Sequence, residues 1–152
     1  MQQFGDSAYF VFEIKNVNPT NIDAYCCCLK SLFADNDLLN SVVIACDNIA
    51  LHSHLKRYLG ADFYFAWVYF SAEQQVDVPQ LLRENNINAI ICHISEAPYI
   101  SSNIDSNIFI GVYGVENNEH IAICRRYNIR LIGTDDPQKI SKLLNTSISD
   151  VN

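Results

Sequence analysis

Six short apolar segments recur along the 152-residue chain and constrain its fold more than any other feature. They begin 19 to 32 residues apart, and most of the intervening stretches carry apolar residues at helical spacing. This alternation is typical of consecutive βα units, whose parallel strands form a sheet covered by helices. We predict strands at 9–15, 41–46, 63–70, 89–94, 108–112 and 130–132. No linker interrupts the pattern, so residues 1–152 are expected to form a single α/β domain.

Polar residues after most of the predicted strands mark the starts of helices. Thr20 or Asn21 is a candidate N-cap for the first helix, and Gly60 is expected to end the second. Asp77 opens a short third helix, and Asp136 followed by Pro137 opens the last one. The segment 96–106 shows no clear helical pattern, and we expect a loop there.

The first predicted strand carries two charges in an otherwise apolar segment. Glu13 and Lys15 are two residues apart, so their side chains share one face of the strand. These charges cost desolvation energy at the end of a buried strand unless they pair with each other or bind a ligand. The sequence leaves both interpretations open. We expect the two residues at the carboxyl end of a central strand, directed toward the face that binds ligands.

Charge and hydropathy argue against two classes of function. The formal net charge is −7, and the ten Lys and Arg residues are scattered, which argues against a nucleic-acid-binding surface. No apolar run is long enough to span a bilayer, and the first residues do not resemble a signal peptide.

The six cysteines indicate a reduced protein. Cys26, Cys27 and Cys28 are consecutive and cannot form a normal set of bridges among themselves. The other three lie singly inside apolar segments without Cys-x-x-Cys spacing. This usage is typical of a cytoplasmic protein in which cysteine serves as a small apolar residue, and it disfavours disulfides or a zinc site.

Polar side chains are expected to gather at one end of the predicted sheet. The carboxyl ends of parallel strands form one face, where α/β proteins bind ligands. In this chain that face would carry Glu13, Lys15, Asp47, His93, Glu116, Asn117, Thr134 and Asp135. Several carboxylates together suit Mg²⁺ or Ca²⁺, which bind oxygen ligands. Alternatively, Asp47, Asn117 and Asp136 are simple helix caps, and His93 has an ordinary structural partner.

Four motifs, in order along the chain, resemble those of the glycerophosphodiester phosphodiesterases. Phe-Glu-Ile-Lys at 12–15 resembles the family's Glu-Ile-Lys strand, and Val-Val-Ile-Ala-Cys-Asp at 42–47 resembles the strand that follows it. Val-Tyr-Gly-Val-Glu-Asn at 112–117 is similar to Val-Trp-Thr-Val-Asn, with Tyr113 replacing tryptophan and Gly114 replacing threonine. Gly-Thr-Asp-Asp-Pro at 133–137 is similar to the family's Thr-Asp-x-Pro. The resemblance extends from Tyr9 to Leu144.

The resemblance implies a TIM-barrel-like fold that is incomplete in this chain. Family members are eight-stranded (β/α) barrels, and the parallel six-stranded sheet predicted here corresponds to their third to eighth strands. The first two strands normally bring a His-Arg-Gly motif and two metal-binding carboxylates, and nothing before Tyr9 supplies them. An open doubly wound α/β sheet is the alternative architecture.

The resemblance also implies roles for individual residues. Glu13 would be a metal ligand, and Lys15 would lie beside the phosphate. His93, Tyr113 and Asp135 are candidates for the rim of the site. No catalytic residue is assigned, because both catalytic histidines of the family lack counterparts. We therefore expect weak binding of Mg²⁺ or Ca²⁺, a small phosphodiester as ligand, and little hydrolysis by the chain alone.

Three hypotheses for function stay open. The chain is part of an active hydrolase that other strands complete, or a non-catalytic binding or regulatory module, or an unrelated acidic α/β domain that binds a basic protein. An incomplete barrel leaves unpaired main-chain groups at two strand edges, and the first strand, 9–15, would be one of them if the barrel order is kept. We therefore expect self-association into a homo-oligomer, or closure by the residues before Tyr9 and the polar tail.

Overall fold

Strands and helices alternate along the chain. The computed structural model describes residues 10–15, 19–35, 42–60, 64–70 and 76–146. The strands are β1 (Phe10–Ile14), β2 (Val42–Cys46), β3 (Tyr64–Val68), β4 (Ala89–His93), β5 (Phe109–Tyr113) and β6 (Leu131–Ile132). The helices are α1 (Ile22–Asp35), α2 (Ile49–Leu59), α3 (Val78–Glu84), α4 (Ala97–Asn103), α5 (Asn118–Arg126) and α6 (Pro137–Thr146). Short 3-10 turns at Pro19–Asn21 and Ile94–Glu96 precede α1 and α4.

The six strands form one parallel sheet whose spatial order follows the order along the chain. A doubly wound sheet would change direction partway, so this alternative is excluded. The sheet curls into a half-barrel, and the predicted incomplete TIM-barrel-like α/β fold is confirmed. Among the described strands, β1 lies at one edge of the sheet. This confirms the position that the barrel order implies for the first strand, whereas the expectation of a central strand for Glu13 and Lys15 is wrong.

The two faces of the sheet bury different side chains. Phe12 and Ile14 of β1 pack with α1 and α2, and the Phe12 ring lies 4.9 Å from that of Phe33. The residues that alternate with them face the opposite, concave side, because successive side chains of a strand point to opposite faces. Small side chains predominate at the centre of this concave face, where its buried members are Ala45, Ala66, Val68 and Ala89. Small side chains on this side leave room for the sheet to curve inward.

One predicted loop is a helix. α4 (Ala97–Asn103) and the 3-10 turn before it occupy most of the segment 96–106. Ala97 and Ile100 are buried and Ile104 is half-buried, so apolar residues at helical spacing were present. The expectation of a loop gave too much weight to the polar residues between them. Pro98 is compatible with the helix because it lies in the first turn, where its missing N–H costs no hydrogen bond.

The remaining predicted bounds shift by one or two residues. β4 ends at His93, and β5 extends to Tyr113. The predicted first residues of three strands, Tyr9, Ser41 and Phe63, lie outside the described residues, as does the tail beyond residue 146.

Candidate functional site at the carboxyl ends of the strands

Glu13 and Lys15 form an ion pair at the carboxyl end of β1. Glu13 is in register with Ala45, a buried residue of the concave face, so its side chain lies on that face and not beneath the helices. Lys15 Nζ lies 3.1 Å from Glu13 Oε2, with the side chains 62% and 33% exposed. Water screens a pair at this exposure, so it contributes little to stability. The structural pair is present, and the role of either residue in ligand binding stays a prediction.

Asp47 follows β2 beside this pair. It lies two residues beyond Ala45, the register partner of Glu13. Burial is the main cause that raises the pKa of the Cys46 thiol to about 11, and the charges of Asp47 and Glu13 raise it further. The two carboxylates therefore lie near a thiol that stays neutral.

The helix cap after β2 is Asn48 rather than Asp47. Asn48 Oδ1 accepts the N–H of Ala50 at 3.0 Å, so the expectation of a capping carboxylate at Asp47 is wrong. The main-chain oxygen of Asp47 instead accepts the Nε1–H of Trp67 at 3.1 Å. Because Trp67 is buried in β3, this hydrogen bond ties the loop after β2 to the sheet.

His93 ends β4 with an exposed side chain that has a structural partner. Its Nδ1 lies 2.8 Å from Ser95 Oγ and accepts the N–H of Ser95 at 3.3 Å. The interpretation that His93 has an ordinary structural partner is therefore confirmed: the partner is Ser95, which contacts Nδ1. Since Nδ1 accepts, the neutral ring carries its proton on Nε2, which can donate a hydrogen bond.

The position of the His93 ring depends on Gly114. A Cβ on Gly114 would lie 2.5 Å from His93 Nε2, and Gly114 has φ +77°, a conformation that favours glycine. Glycine at position 114 thus makes room for the imidazole.

Two further aromatic rings lie near His93. The Tyr113 ring lies 5.4 Å from His93, in register across β4 and β5, and 6.1 Å from the Phe70 ring. We call Phe70, His93 and Tyr113 the aromatic rim. The aromatic rim combines apolar surface with polar donors, a combination typical of small-molecule sites.

The loop after β5 is organised by a helix cap. Asn117 Oδ1 accepts the N–H of His120 at 2.9 Å, which confirms the capping interpretation of Asn117. His120 Nδ1 in turn accepts the N–H of Glu116 at 3.1 Å. These bonds hold the chain between β5 and α5 in a fixed turn.

The loop after β6 is organised in the same way. Asp136 Oδ1 accepts the N–H of Lys139 at 2.9 Å, so Asp136 also caps a helix as expected. Thr134 Oγ1 accepts the N–H of Asp136 at 3.0 Å. Asp135 between them is exposed, and its place at the rim of a ligand site stays a prediction.

The described residues do not by themselves fit a divalent cation. Among them, no group of three or more His, Cys, Asp or Glu side chains converges closely enough to hold a metal ion. Glu13 offers one carboxylate that is already paired with Lys15, and Asp47 offers a second nearby. A site with two protein carboxylates would bind Mg²⁺ or Ca²⁺ weakly.

Sequence reasoning missed Phe70 and Ser95. Phe70 follows Val68 by two residues, so period-2 alternation could have directed it to the concave face. Ser95 had a local signal as well, since a residue two positions beyond a strand-end histidine lies within reach of its ring.

Comparison with known proteins gives matches by structure and none by sequence. No protein-family model and no curated protein matches the chain. Among solved structures, it superimposes on a protein from Silicibacter pomeroyi assigned as a glycerophosphoryl diester phosphodiesterase, with TM-score 0.76 and 13% identity over 91% of this chain and 50% of that one. For a glycerophosphodiester phosphodiesterase from Parabacteroides distasonis the TM-score is 0.72 at 13% identity, covering 92% of this chain and 58% of that one.

The fold is therefore that of the glycerophosphodiester phosphodiesterases, and the chain spans between 50% and 59% of the length of the solved structures that it matches. Among the described residues, no helix has both the length and the apolar character needed to cross a membrane.

Proposed function

We propose that this chain is the carboxyl-terminal part of a glycerophosphodiester phosphodiesterase-like barrel, which hydrolyses small phosphoric diesters when further strands complete it. The observation that carries the proposal is the superposition of 91% of the chain on about half of a longer solved chain of that kind. The side of the sheet on which Glu13 lies gives further support. Its carboxylate is on the concave face at the carboxyl end of β1, where enzymes of this architecture bind substrate.

In this proposal, Lys15 and Glu13 bind different parts of the ligand. The Lys15 ammonium, 62% exposed, would bind a phosphate oxygen as a compact positive charge. Glu13 would be one of the ligands of Mg²⁺ or Ca²⁺, and the cation would supply polarisation of the phosphodiester. The remaining cation ligands would come from the completing strands, so the chain alone binds the cation weakly.

The aromatic rim would contact the alcohol portion of the phosphodiester. Tyr113 and Phe70 present ring surfaces, and His93 Nε2–H is a hydrogen-bond donor for a hydroxyl group. Asp135, exposed after β6, would contact the same ligand from the neighbouring loop.

A turnover assay with glycerophosphocholine and Mg²⁺ or Ca²⁺ tests the catalytic part of this proposal. We expect only trace hydrolysis by the chain alone, because general acid–base catalysis typically contributes ~10²–10⁴-fold and the family's histidines have no counterpart. Glu13→Gln should abolish the trace activity, whereas Asp105→Asn, at an exposed position before β5, should leave it unchanged. Robust hydrolysis by the unmodified chain would contradict the expected inactivity.

A non-catalytic binding module is the second candidate. The aromatic rim favours it, because His93, Tyr113 and Gly114 fit together without help from other segments. Binding of a phosphodiester without turnover, even after a completing segment is added, would distinguish this function from the first.

Two properties of the whole chain complete the proposal. A reducing, cytoplasmic environment is supported by the six free cysteines, of which Cys26, Cys46, Cys92 and Cys124 are buried. Self-association is supported by the two edges that the described strands leave in the parallel sheet, at β1 and β6.

A further inference from the structure

A cleft lies at the amino ends of β5 and β6, at the end of the sheet opposite Glu13 and Lys15. Its volume is about 410 Å³, a size typical of small-molecule sites. Its walls are the end of α4, the loop before β5 (residues 104–108), the start of β5 and the loop before β6 (residues 127–130). The cleft lies on the β5 side of β6, so a strand added at the outer edge of β6 would not fill it.

The short β6 leaves a main-chain donor of β5 unpaired in this cleft. Pairing of the two strands begins at Gly111 and Leu131, one residue beyond Ile110. The N–H of Phe109 donates to the main-chain oxygen of Asn88 at 2.8 Å, on the β4 side. Successive N–H groups of a strand point to opposite sides, so the N–H of Ile110 points toward β6 and has no acceptor in the described part of the sheet. Ile110 is only 9% exposed, and a main-chain donor at such a position normally has a partner.

The polar side chains around this donor are mostly neutral. Ser106, Asn107 and Asn128 line the cleft, and their side chains make no hydrogen bond to another described residue. Asp105 and Arg130 are the two charged side chains among the described lining residues, and their charges cancel. An anion or a cation would therefore meet a repulsive group as well as an attractive one. A hydroxyl group both donates and accepts, as do the amides and the serine.

The cleft also has an apolar part. Ile104, Ile108 and Phe109 are half-buried and lie between the polar groups. A sugar ring carries hydroxyl groups around its edge and C–H groups on its faces, so it can contact both kinds of surface at once. Apolar walls with a few polar groups are typical of sites that hold a small molecule in one orientation.

We propose that this cleft binds a neutral polyhydroxylated ring compound of the size of a monosaccharide. The N–H of Ile110 would donate to one ligand oxygen. Arg130 is level with Ile110, since each precedes the first register pair by one residue, and its guanidinium would donate to a second oxygen. The amides of Asn107 and Asn128 would pair with further hydroxyl groups. Because the cleft is open to water, we expect a dissociation constant in the millimolar range. The proposal does not depend on the phosphodiester site at the other end of the sheet.

Asn128 offers a variant that removes one of these groups without straining the main chain. Its φ of +51° is a conformation that glycine adopts equally well. Asn86 has φ +55° in the corresponding turn after α3. In both turns the asparagine N–H donates to a main-chain oxygen three residues earlier, at 3.2 Å. Asn86 lines a smaller neighbouring cleft and not this one, so Asn86→Gly is the matched control for Asn128→Gly.

NMR titration of the full chain with D-glucose tests the proposal. We expect saturable amide shifts at residues 106–110 and 127–130. Tetrahydropyran-2-methanol keeps the ring and one hydroxyl group of the sugar, and at the same concentration it should cause no such shifts. Asn128→Gly and Arg130→Gln should each raise the dissociation constant for glucose by about fivefold or more, because each removes hydrogen bonds to the ligand. Asn86→Gly should leave the dissociation constant unchanged.

The two variants act on different parts of the cleft. Arg130 is exposed, so Arg130→Gln tests the site without altering the turn after α5. The absence of saturable shifts, shifts centred outside residues 101–110 and 127–130, or equal shifts with tetrahydropyran-2-methanol would overturn the proposal. So would an unchanged affinity in both Asn128→Gly and Arg130→Gln, or an equal loss of affinity in Asn86→Gly.

Discussion

His93 Nε2 occupies space that a side chain on Gly114 would need, since a Cβ there would lie 2.5 Å from the ring nitrogen. We expect Gly114→Ala to destabilise the fold by about 1–3 kcal/mol, through left-handed backbone strain and displacement of the imidazole. In urea unfolding, His93→Ala should recover part of this loss when combined with Gly114→Ala.

Gly60 provides the control for this coupling. It also has a positive φ, +97°, but nothing lies within 4 Å of its would-be Cβ. The cost of Gly60→Ala should therefore be the same with or without His93→Ala. If His93→Ala recovered the same amount of stability in Gly60→Ala as in Gly114→Ala, the position of the His93 ring would not depend on the space at Gly114.

Asn48 and Asp47 are expected to differ in their contribution to stability. Asn48→Ala removes the cap of α2 and should lower the free energy of unfolding by about 1 kcal/mol. Asp47→Ala leaves the main-chain acceptor of Trp67 in place and should have less than half that effect in the same urea experiment. A larger loss for Asp47→Ala would show that its carboxylate has a structural role.

His52 should make the protein less stable in acid. The side chain is fully buried on α2 against the Phe65 ring, and neither ring nitrogen makes a hydrogen bond of normal geometry. Burial, and then the charge of Lys56, lower the pKa of His52 from 6.5 to about 4, although the nearby main chain of Cys46 and Ala66 partly opposes the shift.

As the pH falls, His52 takes up a proton in the unfolded chain before it does so in the folded protein. The contribution of neutral His52 to stability is therefore fully present above pH 6.5 and is lost as the pH falls toward 4, which lowers the free energy of unfolding by up to roughly 3 kcal/mol. His52→Leu should flatten the pH dependence of urea unfolding over that range. His54→Leu on the exposed side of α2 should not. If the pH dependence persists in His52→Leu, other titratable groups cause it.

The thiols should fall into two classes of reactivity. Burial raises the pKa of Cys92 to about 12 and that of Cys46 to about 11, and it also raises the pKa values of Cys26 and Cys124. Iodoacetamide at pH 8 should therefore label Cys27 and Cys28 quickly in the native protein, and the other four only after unfolding. Rapid native labelling of Cys92 would contradict its position in the core.

The sequence was sufficient to predict the sheet, because each strand and most helices carry their own local pattern. Asn117 and Asp136 were recognisable as caps for the same reason. The aromatic rim was harder to predict, since Phe70, His93 and Tyr113 come from three different strands or strand ends. Their contact depends on the register between those strands and on the space left by Gly114. α4 was missed because its apolar residues, Ala97 and Ile100, are few and separated by polar ones.

The central claim is that the concave carboxyl-terminal face binds a phosphodiester through Lys15, and NMR titration with glycerophosphocholine and Mg²⁺ tests it most directly. We expect amide shifts to concentrate at Glu13, Lys15, His93 and Tyr113, and Lys15→Ala to weaken binding by about tenfold or more. The control, Lys139→Ala at an exposed position of α6, should leave the affinity unchanged. The absence of shifts, or shifts confined to the opposite end of the sheet around Asn107 and Asn128, would contradict the claim.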